Sequence, residues 1–239
     1  CANLLCWPNG RNMFYILRYS STKAINSSFH FAMINTIFIV VTFFGTLTLV
    51  FADYPKIEEC QKFTPMSNFN STRFLNGTWY VTNAKHGSNS TVCRRYKIKM
   101  EGGLVRLNGD GYYGNNDQPV FYEVRCNALA PNSGHQSGKI SFTCSQIATE
   151  YDFAINLELS FTVLETDYDE FAVMYRCVEL YPSFGSHIED NLLVLHRDHK
   201  KIKDPDSRIS ETLKQHHECL TKFISRKGVV CLKRKKQKN

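Results

Sequence analysis

Between residues 78 and 197 the chain alternates short runs of strand-forming residues with clusters of turn formers, a spacing that points to an antiparallel barrel or sandwich. Eight runs qualify: 78–84, 92–100, 103–108, 118–126, 138–146, 155–164, 170–178 and 191–197. Between them stand Gly-Asp-Gly at 109–111, Gly-Asn-Asn-Asp at 114–117, Pro-Asn-Ser-Gly at 131–134 and Thr-Asp-Tyr-Asp at 166–169, all residue types that tolerate turn geometry. Val120, Tyr122 and Val124 share one face of their run while Glu123 and Arg125 share the other. Ile140 and Phe142 likewise oppose Lys139, Ser141 and Thr143. A period of two with one apolar face means a sheet with an inside and an outside. Eight such strands can close into a barrel whose interior admits one small ligand. The expected fold class is therefore all-β, an eight-stranded antiparallel up-and-down barrel. One helix follows, in "DPDSRISETLKQHHECLTKFI": Asp204 and Pro205 suit a cap and first helical position, and Ile209, Leu213, Leu220 and Phe223 form a partial apolar stripe. A lone helix after a barrel packs against its outer wall.

Residues 34–52 carry no charge and end Val50-Phe51-Ala52, which suits a signal-peptidase site, with Met33 as initiator. Residues 1–32 read as an upstream translated segment, 33–52 as a signal peptide, and 53–239 as one domain with a basic tail from about residue 232. A membrane anchor is the alternative for 34–52, because about 20 apolar residues span a bilayer. Seven cysteines follow residue 52, widely spaced and without C-x-x-C pairs, which argues for disulfides formed in an oxidising compartment rather than zinc. Sequons at Asn70, Asn76 and Asn89 agree with a secreted product. The formal net charge is +7, and the last fourteen residues hold seven basic groups and no acid. Residues 1–52 add Arg11, Arg18 and Lys23 and no acid, so the body between them and the tail is slightly acidic, and the tail is either simply solvated or drawn to anionic membranes and polyanions.

Three short motifs add specificity. Gly77-Thr78-Trp79 opens the first run, Thr166-Asp167-Tyr168 precedes the seventh, and Arg197 closes the eighth. Together they resemble the signatures of lipocalins, in which the tryptophan plugs the closed end of the barrel and a basic side chain packs across its ring. Such a contact adds cation–π attraction to buried area. A wider set, "CQKFTPMSNFNSTRFLNGTWYVT", "TVCRRY", "GKISFTC", "TDYDEFAVMYRC", "DNLLVLHR" and "LTKFISRKGVVC", resembles the triabin family of salivary lipocalins from blood-feeding triatomine bugs, from about Cys60 to Cys231. That resemblance implies the pairs Cys60–Cys177, Cys93–Cys231 and Cys126–Cys144. Parity supports the third pair, whose cysteines extend two apolar faces around a loop near His135. Cys219 is left unassigned: free, packed under the helix, or a dimerisation site.

The family includes antagonists of platelet aggregation, inhibitors of coagulation proteases, scavengers of small mediators and the haem-carrying nitrophorins. The resemblance thus implies a secreted, monomeric protein of saliva that sequesters a thromboxane, leukotriene or biogenic amine and blunts haemostasis. The alternative is a protein-directed inhibitor of a coagulation protease, working through the acidic stretch Glu165, Asp167, Asp169 and Glu170 with Glu189 and Asp190. Alternation assigns the cavity to Tyr122, Val124, Ile140, Phe142, Phe161, Val173 and Tyr175. Haem is not expected, because the family's spacing from Cys93 lands near Gly111, Tyr112 and Tyr113, where no imidazole stands. No metal site is expected: His196, His199, His216 and His217 lack ligand spacing and read as surface residues. "HRD" at 196–198 lacks the asparagine of a kinase loop, since position 203 is Lys203, and no Ser-His-Asp or Cys-His set is defensible. Neither catalysis nor specific nucleic-acid binding is expected.

Overall fold

The computed structural model describes residues 54–55, 57–113, 120–130, 137–148, 153–180, 187–200 and 206–234. The leader, the segment before it, the turns at 114–117 and 131–134, the Asp204-Pro205 helix start and the tail beyond 234 lie outside these residues. All eight expected runs are strands: Gly77–Ala84 (β1), Arg95–Glu101 (β2), Leu104–Asn108 (β3), Val120–Leu129 (β5), Lys139–Ala148 (β6), Phe153–Thr166 (β7), Phe171–Leu180 (β8) and Ile188–His196 (β9). Two short strands are additional, Gly111–Tyr113 (β4) and Ile224–Ser225 (β10). The order is β10-β1-β2-β3-β5-β6-β7-β8-β9, and β1 also pairs antiparallel with β9, which closes the barrel. Among the described residues no helix is long and apolar enough to cross a membrane.

Gly109 to Gly111 does not reverse the chain as its composition suggested. Both β3 and β4 pair with β5, so the stretch is a kink within one ladder. Gly109 N–H donates to the Val124 carbonyl at 3.1 Å, and the Asp110 carboxylate accepts the Val124 N–H at 3.1 Å. A side chain thus replaces the ladder carbonyl that the kink removes, so Val124 keeps both backbone partners.

The closed end is built by the three motifs. Trp79 is fully buried and its indole N–H donates to the Phe74 carbonyl at 3.0 Å. The Arg197 guanidinium lies 3.7 Å from the Trp79 ring centroid and donates to the carbonyls of Asn76 at 2.8 Å, Tyr168 at 3.0 Å and Arg73 at 3.0 Å. Burial pushes the Arg197 pKa down to about 10, against the pull of Asp169 and Asp167. Gly77 adopts φ +93°, and a Cβ there would stand 3.3 Å from Arg197 Nη1, so both backbone and space require glycine. Thr166 donates to the Phe171 carbonyl at 2.6 Å, while one Asp167 oxygen accepts the N–H groups of Asp169, Glu170 and Phe171. These are the bonds of a side-chain-capped turn, which orders the entry to β8.

The C-terminal helix is shorter than its apolar stripe implied. It spans Ser207–Gln215 (α3, after the one-turn helices Ser71–Phe74, α1, and Asn89–Val92, α2). Its cap is Asp206, whose carboxylate accepts the Arg208 N–H at 2.9 Å. His217 at φ +60° ends it, and a 3₁₀ turn at Leu220–Lys222 follows. Ile209, Leu213 and Phe223 then cover the outer face of β8 and β9 at Phe171, Val173, Tyr175 and Val194. A second, larger core fills the lower barrel around Trp79, Phe142, Phe161, Met174 and Leu195.

The pairs Cys60–Cys177, Cys93–Cys231 and Cys126–Cys144 are all disulfides, the third joining directly opposed residues of β5 and β6 with Cα atoms 4.0 Å apart. Cys219 is not a free thiol either. Cys93 and Cys231 are separated by 138 residues. Removing that bond through Cys93→Ala with Cys231→Ala should lower unfolding free energy by about 5 kcal/mol in the chain-entropy account. Chemical denaturation measures it, and a loss below about 1 kcal/mol would mean that the tail contributes almost no constraint.

Candidate functional site

Above the packed lower barrel, at the end opposite Trp79, the strands leave a cavity of about 420 Å³. Its size falls within the range of small-molecule sites. Residues from nearly the whole circumference line it: Arg94 before β2, Tyr113 of β4, Tyr122 of β5, Gln146 of β6, Ile155 of β7 and Arg176 of β8. Tyr54 from the N-terminal segment stands over one side, its hydroxyl 3.3 Å from Thr91 Oγ1 and accepting from Asn191 Nδ2 at 3.3 Å. Val120, Val178 and Leu180 add an apolar wall.

The two arginines set the chemistry. Arg94 and Arg176 are each 6% exposed. Arg94 Nε and Arg176 Nε and Nη2 are buried without hydrogen-bond partners, and the Tyr96 hydroxyl is buried beside Arg176. Among the described lining residues Glu189 is the sole acid, and its carboxylate stands 3.6 Å from Arg176 Nη2, an ion pair without a hydrogen bond. Arg94 lies over the Tyr113 ring at 4.3 Å and Arg176 over the Tyr54 ring at 6.0 Å, so aromatic faces supply part of the lost solvation. The phenols register the resulting field. Burial raises the Tyr54 pKa, yet Arg94 and Arg176 together outweigh it and leave the phenol below its usual value. Burial dominates at Tyr113, which is pushed up to about 12. Burial lowers the Arg176 pKa, but Tyr54, Tyr96 and Glu189 outweigh it, so the value is raised and the side chain is cationic. Unpartnered buried guanidinium N–H groups are costly in an empty site and are satisfied by an anion entering it.

Of the residues assigned to the cavity by alternation, Tyr122 lines it. Val124, Phe142 and Phe161 point inward but are consumed by the packed core below, with Ile140 packed against it. Val173 and Tyr175 are a correction: they face outward, under α3, and Tyr175 donates to Asp190 at 3.1 Å. Both faces of β8 are buried, one by the barrel and one by the helix, so hydrophobic period alone could not choose its parity. The cysteine assignment could have. Cys177 bonds Cys60 on the outer side, which puts Tyr175 and Val173 outside and Arg176 inside. The same alternation turns Arg94, Tyr96 and Ile98 inward and Arg95, Lys97 and Lys99 outward.

Other expectations fall elsewhere. Tyr113 does face the cavity and donates its hydroxyl to the Gly109 carbonyl at 2.7 Å, whereas Tyr112 donates to the Lys233 carbonyl at 3.4 Å. His196, His199 and His216 are half-buried rather than surface residues, with His196 Nδ1 2.8 Å from Thr82 Oγ1 and His216 edge-on to Phe63. Among the described residues one cluster has metal-ligand proximity, Cys60, Cys177 and Glu179, and its sulfurs are spent on a disulfide. Asn70, Asn76 and Asn89 are exposed.

A family model described as Triabin matches residues 51–211. Triafestin-2 of Triatoma infestans is 45% identical over 193 residues, which cover 80% of this chain and 91% of that protein. Triabin of Meccus pallidipennis is 31% identical over 172 residues, 71% of this chain and 96% of its own length. Among solved structures, the tryptamine complex of the amine-binding protein of Rhodnius prolixus has a TM-score of 0.56 at 17% identity, covering 70% of this chain and 85% of that one. That likeness concerns the fold.

Proposed function

Because the chain belongs to the triabin family, we propose that it is a secreted lipocalin that captures one small anionic amphipath of the host, of the eicosanoid class, and so withholds a haemostatic signal. The observation that carries this reading is the pair Arg94 and Arg176, buried in the cavity with N–H groups unpartnered. A carboxylate docks against them, and the chain of the ligand lies along Val120, Ile155, Val178 and Leu180 toward the opening. Capture is stoichiometric, and affinity comes from satisfying donors that the empty protein already holds in place. A biogenic amine suits the site less well, since among the described lining residues its ammonium would meet two guanidiniums and one carboxylate already paired with one of them.

Secretion is part of the proposal and is supported by three disulfides, exposed sequons and the expected leader before residue 53. The rival reading, inhibition of a coagulation protease through the acidic stretch, draws less support. Asp167 is occupied by its own turn, and Asp169 pairs with Arg73 at 2.6 Å. Native mass spectrometry of the secreted protein against a thromboxane mimetic, a leukotriene, serotonin, histamine, ADP and haemin tests the reading. A one-to-one adduct with a lipid acid is the expected result. No adduct with either lipid acid, or adducts with the amines alone, would discard it.

A further inference from the structure

The outward positions of β2, β3 and β5 carry a second cationic feature, on the other side of the barrel wall from the cavity. Arg95, Lys97 and Lys99 alternate along β2, Arg106 lies directly opposite Lys99 on β3, and Arg125 lies opposite Asn108, which itself faces Lys97. Same-face neighbours along a strand stand roughly 7 Å apart, and adjacent strands about 4.8 Å apart. Side chains of this face enclose a shallow groove of about 730 Å³ lined by Lys97, Lys99, Arg106 and Arg125, with Glu101 as the one acid among the described lining residues. Among the described residues no carboxylate lies within salt-bridge distance of Arg95, Lys97 or Lys99, and Glu101 reaches Arg106 only at 4.0 Å. Arg125 is the neutralised member, held by Asp110 and Glu123.

Arg226, after β10, is not a free member of this face, because its guanidinium donates to the Val92 carbonyl at 2.7 Å and the Val81 carbonyl at 3.4 Å. The exposed cations are Arg95, Lys97 and Lys99 on β2, joined by Arg106 on β3. A sheet surface gains nothing for stability from like charges placed in register, and cross-strand neighbours of one sign are destabilising.

We propose that this outer groove binds a linear sulfated polysaccharide of the extracellular matrix or cell surface, so that the protein is retained where its small-molecule cavity acts. Charge complementarity and shape argue for a chain rather than a bilayer. The cations line a concavity along strand direction, whereas a membrane-binding face presents apolar groups among its cations. Here Val230 and Leu232 belong to the C-terminal segment, and the apolar pair beside the cations, Leu104 in the groove lining and the exposed Leu129 opposite it, is confined to one end of the groove next to Glu101. Binding is additive over exposed charges and therefore screened by salt.

The full-length secreted protein would be titrated with a heparin dodecasaccharide across a sodium chloride series, beside vesicles of phosphatidylserine in phosphatidylcholine. Expected is saccharide binding that weakens steadily with salt. K97E/K99E/R106E should weaken it by about a hundredfold, taking roughly fivefold per surface cation, with lipid-acid capture and thermal midpoint unchanged. A chain ending at residue 234 should retain most of the affinity. The proposal is overturned by absence of saccharide binding at low salt, by equal binding of the triple variant, by loss on tail removal alone, or by vesicle binding that exceeds saccharide binding. Because the variant leaves Arg94 and Arg176 in place, failure here is separable from failure of the capture reading.

Discussion

Arg176→Met should raise the thermal midpoint of the empty protein while weakening capture of a lipid carboxylate by a factor of about 30 to several thousand. Both halves follow from one fact, that the guanidinium is 6% exposed and has Nε and Nη2 without partners. Methionine nearly matches the length of the arginine stem and fills the same space without a charge. Replacing a buried ion pair by apolar residues is neutral or stabilising by about 1–4 kcal/mol, and removal of the cation alone approaches that result where the acid left behind can be solvated. Removing the cation from a bound carboxylate loses about 2–5 kcal/mol, which sets the factor above. Glu189 moderates the stability gain, since it loses its 3.6 Å partner, but it is one-third exposed and can turn to water. Arg176→Lys keeps the charge and not the planar fork, and should fall between the two. Calorimetric unfolding and ligand titration of the same preparations would check this. A variant that is less stable and still binds would make Arg176 a structural residue.

Trp79→Ala produces the opposite pattern. The indole is fully buried, donates to Phe74, and carries the Arg197 guanidinium on its face. Its loss should destabilise the barrel by about 3–5 kcal/mol, the usual range for a large buried aromatic. Arg197 also loses its platform and with it the ordering of the carbonyls of Arg73, Asn76 and Tyr168. Ligand affinity of the protein that remains folded should be unchanged within a factor of about two, because the cavity lies at the other end. Denaturation midpoints with binding measured below the transition decide this. A large affinity change would mean that the closed end and the mouth are coupled.

The contrast between these residues shows which parts of the molecule were readable in the chain. Trp79, Gly77, Asp167 and Arg197 act through local geometry that short motifs encode, and the eight barrel strands follow from turn chemistry and period. β4 escaped because Asp110 completes a ladder at a place where Gly-Asp-Gly reads as a turn. The cavity was legible only in part. Alternation separates two faces but cannot say which is inside when a helix covers the outer one, as α3 does over Val173 and Tyr175. Nor can it say how far up the barrel the packing reaches, so Phe142 and Phe161 belong to the filled core and Ile155, Val178 and Leu180 to the space above it. Arg94 and Arg176 were passed over because a charged residue in a strand is ordinarily taken as outward-facing. In both cases the correct parity was carried by a neighbour, Cys177 for one and the Tyr96–Ile98 alternation for the other.

Capture by charge in the cavity has a direct assay. A fatty acid of eicosanoid length would be titrated against the primary amide of the same chain, by calorimetry at neutral pH. The two share size and apolar surface and differ in the charge presented to Arg94 and Arg176. The acid should bind one-to-one and at least about 30-fold more tightly than the amide, a difference that shrinks in Arg176→Met, where Arg94 alone remains. Equal affinities, or tighter binding of the amide, would contradict the assignment of the site to an anion.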